Sequence, residues 1–161
     1  VADQEREPYY LAVDPGLKTG WATWDEAGDV LSMGKTNSYD ELHKLLAGFN
    51  VGIKVVIIED FTLFKHKAKE QTGSKMPAPK AIGQVETFAR LWGARIEKQP
   101  SSIKPIAERM TGKHTKDYKT GRLLMAKEMT HMWDAYNHGE YYLITKKIKK
   151  QSIDELRRSI Q

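Results

Sequence analysis

The sequence predicts an α/β domain: a five-stranded mixed sheet, its first three strands antiparallel, flanked by helices on both faces. Three observations lead there. Residues 9–14 (YYLAVD) and 53–59 (IKVVIIE) are apolar runs of strand length, too short for buried helices. Residues 19–25 (TGWATWD) alternate just after the turn residues Pro15-Gly16, so the first strands form a meander. Beyond residue 36, helical patterns alternate with strands, the arrangement that returns strands through helices.

The elements follow in order. YYLAVD is a first, buried strand, TGWATWD a second, and Val30 to Thr36 a third after the turn Asp25-Glu26-Ala27-Gly28-Asp29. Ser38 with Glu41 three residues on is a capping box, opening a helix to about Ala47 with Leu42, Leu45 and Leu46 on one side. IKVVIIE is a fourth strand, buried on both faces. Residues 62–80 are rich in Lys, Gly and Pro and read as a long loop. A helix from about Pro79 to Trp92 carries Ile82, Val85, Phe88, Ala89 and Trp92 along one stripe. ARIEKQ (94–99) is a fifth strand, and a short helix runs from Ser101 to near Gly112. A second basic loop, GKHTKDYKTG (112–121), leads into a long helix reaching about Ile144. The expected organisation is an N-terminal extension (1–8), one domain (9–144) and a basic C-terminal tail (145–161).

Composition narrows the function. The chain of 161 residues is 40% hydrophobic and 29% charged, enough for one domain with a real core. No apolar run approaches the roughly 20 residues needed to span a bilayer. VADQEREP is polar and acidic, unlike a secretory signal. The absence of cysteine excludes disulfides and thiolate zinc sites and suits a reducing cytoplasm. Charge is uneven: residues 1–94 carry 11 Lys/Arg against 13 Asp/Glu, and residues 95–161 carry 15 against 8. A basic half beside an acid-bearing half suits an enzyme that holds a polyanion and a metal.

The acids sit where sites form. Asp14 ends strand one and Glu59-Asp60 ends strand four, and ligands of α/β sheets bind outside strand ends. Alternation lets only one of Glu59 and Asp60 face such a site, and strand parity alone leaves the choice open. Two carboxylates brought together repel unless a cation neutralises them. Hard oxygen ligands without sulfur point to Mg²⁺ or Mn²⁺. His131 and Asp134 are three apart and share one face of the long helix, with His138 a weaker neighbour. Asp14, Glu59, His131 and Asp134 together would hold two metals about 4 Å apart, which stabilises both the attacking water and the leaving oxygen in phosphodiester cleavage.

In this order the motifs resemble the RuvC-like nucleases of the RNase H superfamily, particularly the small phage-type Holliday-junction resolvases. DPGLKTGWA resembles the family's first-strand motif, VVIIEDF its second, AIGQVETFARLWGA the helix after the active-site loop, PSSIKP the segment bearing a catalytic-side lysine, and HMWDAYNHGEYYL the last helix. The resemblance covers roughly residues 9–144. It implies an RNase H-like fold, Asp14 as first metal ligand, Glu59 rather than Asp60 as second, Asp134 as final carboxylate with His131 one turn before it, and Lys104 as the lysine. It further implies a second basic position at Lys113, Lys116 or Lys119. Many members carry two acids in the last helix where this chain has His131 and Asp134. The implied activity is that of a crossover junction endodeoxyribonuclease, a homodimer making paired nicks in four-way DNA with two Mg²⁺ or Mn²⁺ ions per site. It would work in the cytoplasm, the host's if phage-encoded. The stripe Ile82, Val85, Ala89 and Trp92 is the candidate dimer face, the alternative being that this amphipathic helix covers its own sheet. Phe61 and Phe64 among Lys65, Lys67 and Lys69 suit stacking on opened bases and holding phosphates.

Other classes fit less well. Flap, fork and RNA–DNA hybrid nucleases use the same metal chemistry. DPGLKTG also resembles the first phosphate loop of actin-like ATPases, but those need two such halves and a second phosphate motif. An exonuclease of the DEDD type would place D-x-E in strand one, where Pro-Gly follows Asp14. A non-catalytic DNA-binding relative would gain nothing from clustered acids, which oppose DNA binding unless metal occupies them.

Overall fold

A computed structural model describes residues 6–49, 52–60 and 77–150. Five strands, β1 (Tyr10–Asp14), β2 (Thr19–Trp24), β3 (Val30–Thr36), β4 (Val55–Glu59) and β5 (Arg95–Gln99), form one sheet in the order β3-β2-β1-β4-β5. β1 pairs antiparallel with β2, and β2 with β3, while β1–β4 and β4–β5 are parallel. The α-helices among the described residues are α1 (Tyr39–Ala47), α2 (Pro77–Trp92), α3 (Lys104–Thr111) and α4 (Lys127–Thr145). This is the mixed, two-sided sheet that the element order predicts.

Alternation along β1 and β4 builds two cores. Leu11, Val13, Val56 and Ile58 face one side, where Leu42 and Leu46 of α1 and Val85 and Ala89 of α2 cover them. Tyr10, Ala12, Val55 and Ile57 face the other, against Tyr142 and Leu143 of α4. Continuing the same alternation, Asp14 and Glu59 fall on the α4 side. Ser38 caps α1 as expected, since the Glu41 amide donates to Ser38 Oγ at 3.1 Å, but Glu41 Oε2 accepts from the amide of Asn37, one residue before the cap, and not from that of Ser38. Gly112 ends α3 in the left-handed conformation (φ 74°) that glycine tolerates best.

Three expectations need correction. The long helix begins at Lys127, not directly after Gly121. Asp117 Oδ1 accepts from the Lys119 amide, Gly121 takes φ 75°, and Lys116 pairs with Leu123, so 115–124 is a small hairpin instead. The tail does not start at 145: Ile148 packs on the second core, and Lys149 Nζ reaches both carboxylate oxygens of buried Glu140 at 2.8 Å. Residues 151–161 lie outside the described residues.

The third concerns α2. Val85 and Ala89 are fully buried against the protein's own sheet, and Ile82 and Trp92 pack beside them. An amphipathic helix covers the nearest apolar face, and here the sheet is that face. Val85 and Ala89 therefore face the sheet and not a partner, while Ile82 and Trp92 keep partial exposure. Val85→Glu is expected to destabilise the monomer far beyond the ~1 kcal/mol of an average substitution, because it buries an unpaired charge. Chemical denaturation measures this, and a variant of near-normal stability would refute the packing.

Candidate active site

The site is built on the ends of two adjacent parallel strands. Register pairs Val13 with Ile58, so Asp14 and Glu59 leave the sheet side by side. Glu59 is mostly buried, whereas Asp60 lies beyond the strand and is exposed. The second acid is thus Glu59, because alternation turns it toward α4.

α4 brings the third group. Gly20 of β2 lies opposite Asp14, and a Cβ added there would stand 1.8 Å from the His131 carbonyl oxygen. The helix backbone therefore rests directly on the strand. His131 Nδ1 meets Asp14 Oδ2 at 3.0 Å. Asp134, one turn along, faces Lys104 from the start of α3: Lys104 Nζ lies 3.1 Å from Glu59 Oε1 and 3.5 Å from Asp134 Oδ2. Asp14, Glu59, His131, Asp134 and Lys104 are brought together, as the sequence leads one to expect.

The electrostatics are those of crowded acids. Burial, with the neighbouring Glu59 charge, pushes Asp14 up to about 7 despite its hydrogen bond to His131. Burial also works on Glu59, but His138, Asp14 and Lys104 outweigh it and hold Glu59 at about 2. Asp134 is raised by burial against the pull of Lys104. Burial opposes the Lys104 charge, yet Asp14, Asp134 and Glu59 overcome it and raise the lysine. His131 is raised by its hydrogen bond to Asp14.

Two supporting contacts were not legible in the sequence. Glu108 of α3, buried, accepts from the Thr115 amide and from Thr115 Oγ at 2.5 Å each, and the same hydroxyl lies 3.2 Å from Asp134 Oδ1. This ties the 115–124 hairpin to the final carboxylate. His138, buried on α4, meets Gln99 Oε1 through Nδ1 at 2.7 Å and turns Nε2 toward Glu59. The four-residue step from Asp134 to His138 was its one sequence signal.

The basic positions divide. Lys116 and Lys119 line an open cleft of about 440 Å³ with Arg109, His114 and Tyr118. Lys113 instead lies over the Trp133 ring, 5.0 Å from its centroid. Phe61, Phe64, Lys65, Lys67 and Lys69 lie outside the described residues.

Could the acids hold a metal? Among the described residues, no three His, Asp or Glu side chains close on a single ion position as they stand, with Lys104 lying between Glu59 and Asp134. The donor set nonetheless fits a hard divalent cation: three carboxylates and an imidazole, no sulfur. Among the described residues Glu59 Oε2 is buried without a hydrogen-bond partner, and Lys104 serves Asp14, Asp134 and Glu59 together.

No protein-family model matches the sequence, and no curated protein does. Solved structures do. Thermus thermophilus RuvC matches with a TM-score of 0.56 at 13% identity, over 89% of this chain and 99% of that one. T. thermophilus RuvC in complex with a Holliday junction substrate matches with a TM-score of 0.55 at 12% identity, over 86% and 95%. The chain has the RuvC fold. At such low identity the likeness is one of architecture, so the chemistry must be argued from this chain's own residues. In this RuvC-like sheet those residues gather at the carboxyl ends of β1 and β4, roofed by α4 and flanked by α3.

Proposed function

We propose that the protein is a metal-dependent endonuclease that cuts branched DNA, with a Holliday junction as the leading substrate. The convergence of Asp14, Glu59, His131 and Asp134 beside Lys104, at adjoining strand ends of a RuvC-like fold, carries this reading. Asp14, Glu59 and Asp134, with the remaining His131 nitrogen, would hold Mg²⁺ or Mn²⁺. A bound pair of ions would activate water and stabilise the leaving oxygen.

The chain's residues supply the rest. The hydrogen bond from His131 fixes the Asp14 carboxylate. Thr115, held by Glu108, sets its hydroxyl beside Asp134 on the opposite side. The cleft with Arg109, Lys116 and Lys119 adjoins α3 and offers phosphate contacts along a strand. Among the described residues Lys104 is the lysine set among the acids, so a scissile phosphate drawn to the site would meet it. Lys104→Ala is expected to slow single-turnover cleavage on the order of 10²-fold, the scale of losing one charge-stabilising donor. Binding should change much less, because many phosphate contacts share that load. Equal losses in rate and affinity would reassign Lys104 to simple DNA binding.

Resolving a four-way junction requires two nicks, so this reading includes a two-fold dimer. Val85 and Ala89, buried on the protein's own sheet, take no part in its surface. The deciding experiment incubates the purified protein with Mg²⁺ or Mn²⁺ and a panel of four-way junction, flap, RNA–DNA hybrid and linear duplex. Paired, symmetric nicks in the junction support the proposal. Preference for the flap or hybrid would redirect it, and no cleavage of any would refute it.

A further inference from the structure

His138 is 1% exposed, deep on the sheet side of α4, and the chemistry above makes no use of it. Its ring spans two strand ends. Nδ1 meets Gln99 Oε1 at the end of β5, and Nε2 faces Glu59 Oε2 at the end of β4 across 3.5 Å. Among the described residues, neither Glu59 Oε2 nor His138 Nε2 has a hydrogen-bond partner as placed. Buried polar atoms are seldom left unpaired. Two such atoms facing each other are complementary once Nε2 carries a proton, which it then donates to the carboxylate. The Gln99 amide offers an oxygen and an NH₂, so it can anchor Nδ1 by accepting or donating. Glu59 Oε1 points the opposite way, to Lys104.

We propose that His138 is a positioning residue for Glu59, anchored by Gln99, and that it holds Oε2 so that Oε1 is presented to the divalent cation. This rests on the metal-dependent reading above. A ligating carboxylate free to rotate binds an ion less well, and loss of such an outer contact lowers affinity by about 10–100-fold.

Calorimetric titration of the full chain with Mn²⁺ alone tests it, with no nuclease assay needed. His138→Leu is expected to weaken Mn²⁺ binding by about 10–100-fold. His138→Gln, whose amide can donate near the Nε2 position, is expected to recover most of that. In a Glu59→Gln background, His138→Leu should add no further loss. Unchanged affinity in His138→Leu would overturn the inference, as would an equal loss in the Glu59→Gln background, which would mark a packing effect. Should His138→Leu not fold, Gln99→Leu takes its place: a weakening in the same direction supports the proposal, and unchanged affinity overturns it. Wild-type protein that binds no Mn²⁺ would end the metal-dependent reading and this inference together. Binding lost in Glu59→Gln but untouched by His138→Leu would end this inference alone.

Discussion

Asp14→Asn is expected to abolish cleavage, by more than about 10³-fold, while making the metal-free protein more stable at pH 7. The two effects share a cause. Asp14 is buried beside Glu59, and its carboxyl titrates near 7 instead of the ordinary 3.8. A folded state that prefers the protonated acid is most stable below about pH 3.8. That contribution is lost as pH rises through about 7. Asparagine mimics the neutral form at every pH. Its advantage over aspartate should therefore grow between those values and level off above the upper one. Removing the charge also removes a metal ligand at almost no change in volume. Mn²⁺ should accordingly raise the melting temperature of the wild type and leave Asp14→Asn nearly unmoved. Thermal denaturation across pH with and without Mn²⁺, alongside a junction-cleavage assay, reads all of this. An Asp14→Asn protein that cuts normally would remove Asp14 from the site. One that melts lower at pH 7 would show that the aspartate's hydrogen bond to His131 outweighs its burial.

The sequence carries the sheet well because alternation and strand length are local signals. YYLAVD and VVIIE are short and apolar, and each ends on an acid. What it cannot carry is which face a side chain takes before the covering helix is known. Glu59 and Asp60 differ by one step of a two-residue period, and only α4 above the sheet decides between them. The same gap explains the α2 stripe: Val85 and Ala89 announce that something apolar will cover them, but not that the cover is their own sheet. His131 and Asp134 were legible as a helical pair. Glu108 with Thr115, and Gln99 with His138, were not, because each pair joins different elements. The basic 112–121 segment was visible as a loop. Its closure into a hairpin depends on the Asp117 turn and on Gly121.

Gly20→Ala is expected to damage both the fold and the site. In a strand, glycine forfeits packing, and a frequent reason to keep one is the close approach of another backbone. Here the approaching backbone is that of α4. An added Cβ would stand 1.8 Å from the His131 oxygen, 2.0 Å from its carbonyl carbon and 2.5 Å from the Met132 nitrogen. None of these is the free end of a side chain, so helix or strand must shift. Overpacking usually costs about 1–3 kcal/mol, and a clash with main chain belongs at or above the top of that range. The shift falls under the acids themselves, since Gly20 pairs with Asp14 and the displaced residue is His131. A misplacement of about 1 Å can cost on the order of 10²-fold in rate. Gly83→Ala is the matched control, because a Cβ there meets nothing within 4 Å among the described residues. In mid-helix it should be neutral or stabilising by up to about 1 kcal/mol. Calorimetric melting and cleavage rates for the two variants separate the readings. If Gly20→Ala melts and cuts like Gly83→Ala, α4 does not rest on β2 as described, and the geometry that joins His131 to Asp14 falls with it.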